Sequence, residues 1–130
     1  MRASSLAIVA SVLLAFATAP AFAFETKPYD QAAFTAAQKA GKSVVIDVSA
    51  PWCPTCKAQH QVFKTLETKP EYKDVTVLSV DFDSQKDVLK SLKVQSQSTL
   101  IAYKGATETG RTVGDTKAGS IEALVASSVK

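Results

Sequence analysis

The sequence predicts an α/β domain in which a mixed four-stranded sheet carries helices on both faces. Three observations predict it. Two apolar, β-branched runs, 43–49 and 75–82, alternate with helix-periodic stretches, which gives strand–helix–strand units with parallel neighbours and right-handed crossovers. Two further runs, 99–103 and 108–113, are separated by Lys104-Gly105-Ala106, the layout of a hairpin. A last helical pattern carries Ile121, Leu124, Val125 and Val129 on one face, a stripe that must be buried against a sheet.

In chain order, residues 1–23 read as a signal peptide, and 24–130 as one domain. Arg2 gives a positive start, 6–17 is an almost unbroken run of apolar and small residues, and Ala21-Phe22-Ala23 is a small-x-small cleavage site. The run is shorter than the roughly 20 apolar residues of a membrane-spanning helix. The expectation is an exported protein, periplasmic or otherwise outside the cytosol, that is soluble after cleavage. Residues 24–29 follow as an extended lead-in. Asp30 is placed to cap an Ala-rich helix that Gly41 ends. The run Ser43-Val44-Val45-Ile46-Asp47-Val48-Ser49 reads as a central strand covered on both faces. Pro51 breaks it, and Pro54 suits the first turn of a helix that extends to about Lys69, with Val62, Phe63 and Leu66 inward. After the second strand, Asp83 or Ser84 is placed to cap a short helix through Val88, Leu89 and Leu92.

A formal net charge of +3 over 130 residues, without clustering, excludes the basic surface of a nucleic-acid binder. The only two cysteines are Cys53 and Cys56, in Trp52-Cys53-Pro54-Thr55-Cys56-Lys57 at a strand-to-helix junction. A bridge across two intervening residues restrains little of the unfolded chain. The pair is therefore better explained by redox chemistry than by stabilisation. A structural zinc site needs four ligands, and only His60 joins the two cysteines at helical offsets. His60 otherwise reads as part of a solvated helix face.

That element order, with Trp-Cys-x-x-Cys at the first strand–helix junction, resembles the thioredoxin family over essentially the whole of 24–130. Asp47 stands where the family keeps a buried acid, six residues before the first cysteine. The stretch around Cys53-Pro54-Thr55-Cys56 is similar to the thioredoxin-like reductants of cytochrome c maturation. Gly41 to Lys57 is similar to the C-terminal domain of the membrane thiol:disulfide reductant. The resemblance implies a thiol:disulfide oxidoreductase, most simply a disulfide reductase that needs no cofactor and no metal. It implies protein thiol and disulfide substrates, a membrane electron donor and a monomer. Cys53 is then the nucleophile, Cys56 the resolving thiol and Asp47 the buried proton acceptor. Trp52, Pro54, Thr55, Ser98 and Thr99 form the substrate-docking surface. The alternatives are a disulfide oxidase or isomerase, or a thiol-based copper or zinc module.

One position departs from the family. Ser98 stands where the family has a cis-proline before the third strand. A cis bond before a non-proline residue costs about 2.5–4 kcal/mol, so the loop either stores that strain or is trans and differently shaped. Ser98→Pro is expected to fold stably and to weaken metal binding.

Overall fold

The computed structural model describes residues 24–130; the stretch read as a signal peptide lies outside the described residues. The sheet has five strands rather than the four expected, in the order β1-β3-β2-β4-β5. They are β1 (Glu25–Pro28), β2 (Ser43–Ser49), β3 (Thr76–Asp81), β4 (Thr99–Lys104) and β5 (Thr107–Val113). The helices are α1 (Gln31–Lys39), α2 (Pro54–Leu66), α3 (Lys86–Ser91) and α4 (Ala118–Ser127), with a single 3₁₀ turn at Pro70–Tyr72.

The extra strand is the segment expected to be merely extended. β1 pairs parallel with β3, Glu25 opposite Thr76 through Pro28 opposite Ser79. All four of its residues are solvent-exposed, so no apolar alternation marks it. Its pairing rests on backbone bonds along a sheet edge, continued by Tyr29 N–H to the Ser79 carbonyl at 2.8 Å. Pro28 lies at its end, where a missing N–H is tolerated.

β2 is the axis of the sheet, parallel to β3 and antiparallel to β4. Its side chains alternate between two cores. Val45 joins Phe63, Leu66, Val77, Leu100 and Ile121 beneath α2 and α4. Val44, Ile46 and Val48 join Phe34, Leu78, Leu89 and Ile101 on the opposite face. Ile46, Leu66 and Ile121 are fully buried, each worth about 1.5–3 kcal/mol over exposure. The parity of the strand puts Asp47 on the same face as Val45, the side covered by α2.

β4 and β5 form the expected hairpin, turning at Gly105 with φ +58°. On β5, a Cβ at Gly110 would lie 2.7 Å from Leu124 Cδ1, so glycine lets α4 pack close on the sheet. Two boundaries differ from expectation. α2 stops at Leu66, and the chain re-enters a 3₁₀ turn at Pro70. α3 starts at Lys86 with Gln85 at the cap position and no side-chain cap; Asp83 and Ser84 lie in the preceding turn, where their N–H groups donate to Asp81 Oδ1 (2.7 and 3.3 Å) and the Asp83 carboxylate accepts the Trp52 indole N–H.

Candidate active site

β2 ends at Ser49, and the chain turns through Pro51 so that Cys53 becomes the N-cap of α2. Cys53 is extended (φ −92°, ψ 105°), and Pro54 takes the first helical position. The Cys53 sulfur accepts the Cys56 backbone N–H at 3.1 Å. A sulfur at a helix N-terminus faces free N–H groups and the positive end of the helix dipole, which favours the thiolate when the pair is reduced. Cys53 and Cys56 form a disulfide, with Cα atoms 5.3 Å apart. The pair is unequally sheltered: Cys53 is 4% exposed and Cys56 only 1%. Cys56 Sγ lies 3.9 Å from the Val48 carbonyl, against the end of β2.

Asp47 is 1% exposed. Its Oδ2 meets His60 Nε2 at 2.7 Å, and Ser79 Oγ donates to the same oxygen at 3.5 Å. Its Oδ1 is buried without a hydrogen-bond partner. His60 is therefore not simply part of a solvated helix face. It lies one turn after Cys56 on α2, with its side chain 41% exposed and its ring stacked on Phe63 at 6.2 Å. The hydrogen bond that its ring donates to Asp47 raises its pKa above the ordinary 6.5, and the carboxylate charge adds to that; burial and Lys64 act against the rise. A cleft runs past the disulfide, lined among others by Lys27, Cys53, Cys56, Lys57 and His60.

The loop before β4 is trans throughout, as is every peptide bond among the described residues. Ser98 adopts φ +57°, a left-handed conformation that costs a non-glycine residue roughly 1–2 kcal/mol. Three bonds hold it there. Ser98 N–H donates to the Val48 carbonyl at 2.8 Å, and Gly114 N–H donates to the Ser98 carbonyl at 2.9 Å. Gln59 Nε2 donates to the same Ser98 carbonyl at 3.1 Å and to the Asp115 carbonyl at 2.9 Å. The Val48 carbonyl thus touches both the Ser98 loop and Cys56. This corrects the expectation for Ser98→Pro: proline requires φ near −65° and has no N–H, so it fits neither the conformation nor the bond to Val48.

Gln59 was not anticipated as a site residue. It is fully buried, and its signal was its position in line with Cys56, Phe63 and Leu66 on the inward face of α2. Ser98 and Thr99 are buried, at 5% and 2%, so their side chains offer a substrate little surface. Trp52, by contrast, is 57% exposed. Its indole N–H donates to Asp83 at 2.8 Å, and its ring meets Phe82 edge-on. Pro54 is exposed and Thr55 half-buried beside it.

Fold and site together define a protein built for thiol–disulfide redox chemistry, a mixed sheet that mounts a cysteine pair at a helix N-terminus. The thioredoxin family profile matches residues 25–127, and the chain belongs to the thioredoxin family. Thioredoxin H2-1 of Oryza sativa subsp. japonica is 41% identical over 76 residues, 58% of this chain and 54% of the rice protein. The match thus spans about half the length of that relative. Thioredoxin-2 of Saccharomyces cerevisiae is 36% identical over 88 residues, covering 68% of this chain and 82% of the yeast protein. Among solved structures, Trxlp from Edwardsiella tarda EIB202 superposes with a TM-score of 0.72 at 40% identity, over 77% of this chain and 97% of that one.

Proposed function

We propose that this protein is an exported thiol:disulfide oxidoreductase that reduces disulfides in other proteins. The observation that carries the reading is the Cys53 sulfur at the N-cap of α2, accepting the Cys56 N–H at 3.1 Å, with Cys56 lying inside the first turn against the Val48 carbonyl. Cys53 thiolate attacks a substrate disulfide and forms a mixed disulfide. Cys56, deprotonated by Asp47, attacks Cys53 Sγ; the Cys53–Cys56 bond forms, and the substrate leaves as a thiol. Trp52, Pro54 and Thr55 offer the docking surface around Cys53, while Ser98 and Thr99 are buried and their loop is bonded to the end of β2 and to Gly114.

Export is supported by the signal-peptide pattern of residues 1–23. Outside the cytosol the protein would be recharged by a membrane electron donor. Its active-site sequence fits that role, being similar to the reductants of cytochrome c maturation and to the membrane thiol:disulfide reductant's C-terminal domain. The direction of electron flow is argued from Pro54. It takes the first helical position and has no N–H to offer the Cys53 thiolate. A less stabilised thiolate makes a less oxidising disulfide. The test is the reduction potential of the pair, by equilibration in redox buffers. A value of about −270 mV or lower is expected of a reductant; about −120 mV, that of a strong thiol oxidant, would reverse the direction.

A further inference from the structure

We propose that Lys86, Lys90 and Lys93 form a docking surface for an acidic segment of the protein substrate, beside the disulfide that Cys53 attacks. The inference deepens the reductase reading and rests on it. A groove opens between α3 and the loop leading to β4, with Leu89 and Val94 buried beneath it and the three lysines exposed around it. No carboxylate lines it among the described residues. Lys86 Nζ lies 4.3 Å over the Phe82 ring and donates to the Phe82 carbonyl at 2.7 Å. Neither Lys90 nor Lys93 is in an ion pair among the described residues. The acids nearest in sequence do not neutralise the groove. Asp81 Oδ1 accepts the N–H groups of its own turn, and the Asp83 carboxylate accepts the Trp52 indole N–H. Asp87, on α3 itself, is not part of the lining.

Lys93 holds its place at a cost. It follows α3 with φ +56°, a left-handed conformation in which glycine fits and a side chain is strained. The turn is fixed by Lys93 N–H to the Lys90 carbonyl at 3.2 Å, by Val94 N–H to the Leu89 carbonyl at 2.8 Å and by Arg111 Nη1 to the Lys93 carbonyl at 3.1 Å. Helix polarity does not call for a lysine there, since Lys90 already sets a cation in the last turn of α3. Strain kept at an exposed cation points to a use for its ammonium group. Its location makes that use concrete. Phe82 lines the groove on one side and packs against Ala50, Cys53 and Cys56 on the other, and the exposed Trp52 ring meets Phe82 edge-on. A substrate chain whose disulfide lies at Cys53 can cross Trp52 and Phe82 and lay its carboxylates among the lysines. Three lysines in one groove are too few for the basic stripe of a nucleic-acid binder, and their place beside the cysteine pair suits a protein substrate. Opposite charges across such a surface speed encounter and set partner choice more than they add affinity.

The test offers the reduced protein two synthetic peptides with the same intramolecular disulfide, one flanked by a run of glutamates and the other by glutamines. At about 0.01 M ionic strength, where charges act over about 30 Å, the acidic peptide is expected to be reduced about tenfold faster. At about 0.15 M that range falls to about 8 Å, and the preference shrinks with it. Lys86→Gln, Lys90→Gln and Lys93→Gln together are expected to remove the preference and to leave the rate with the glutamine peptide unchanged. The same loss from Lys39→Gln, Lys73→Gln and Lys104→Gln, at the far end of the sheet, would assign the preference to overall charge and overturn the surface. Lys93→Gly is expected to raise the denaturant midpoint, because glycine takes the left-handed conformation without strain, and to lower the preference; an undiminished preference overturns the proposal. Equal rates for the two peptides with the unaltered protein overturn the surface and leave the reductase reading intact. Reduction of neither peptide overturns the reductase reading and the proposal that rests on it. Tighter binding of a thymidine oligonucleotide than of the acidic peptide to the same lysines overturns the choice of a protein partner.

Discussion

Cys56→Ser is expected to accumulate as a covalent mixed disulfide with its substrates and to lose turnover almost completely, while Cys53→Ser forms no such adduct. The asymmetry follows from the site. Cys53 sits at the helix N-cap, where its sulfur accepts a backbone N–H, and it is the more exposed of the two. Cys56 is nearly fully buried against the end of β2, so an incoming disulfide reaches Cys53 first. With serine at 56 the first exchange proceeds and the second does not, because a hydroxyl is a poor nucleophile toward sulfur at neutral pH. Non-reducing gels of each variant mixed with a protein disulfide read the result. Adducts formed equally by both variants would remove the division of labour between nucleophile and resolving thiol.

Asp47→Ala is expected to make the protein more stable and less active. A buried carboxylate with an unpartnered oxygen bears a desolvation cost of about 1–3 kcal/mol or more. Alanine relieves that cost and opens only a small cavity in β2. The gain depends on pH in a defined sense. The raised pKa of His60 means that its charged form is favoured in the folded state through Asp47. That contribution to stability is fully present below 6.5 and fades as pH rises through the raised value. The stabilisation on Asp47→Ala is therefore smallest in mild acid and largest above the His60 titration. Removing the proton acceptor should slow resolution by about 10²-fold or more. Denaturant unfolding at two pH values and the rate of the second exchange measure the two effects. A variant both less stable and fully active would mean that Asp47 is structural.

Much of the fold and the cysteine site is legible in the sequence, and the features that are not have identifiable physical causes. β2 announced itself because both its faces are covered, so its apolar run is nearly continuous, and β3 through its alternating, β-branched pattern. β1 gave no such signal: its residues all face solvent, and it is held by backbone bonds alone. Asp83 and Ser84 looked like helix caps because local chemistry permits it, but both lie in the turn before α3, and the Asp83 carboxylate accepts the Trp52 indole N–H instead of a helix N–H. The cysteine pair and Asp47 stood out as polar or reactive groups in an apolar frame. His60 did not, since its partner is thirteen residues away on another element. Only the parity of β2 beneath the inward face of α2 brings the two together. The conformation at Ser98 is a long-range product as well, set by Val48, Gln59 and Gly114, and no local pattern encodes it.

The most direct test of the central claim is a single-turnover exchange between the reduced protein and a protein disulfide, followed by intact mass and peptide mapping. The expected result is one Cys53–Cys56 disulfide formed for each substrate disulfide opened, with two electrons passing to the substrate. Failure of the substrate to be reduced, or its reduction with Cys53 and Cys56 left as free thiols, would contradict the account.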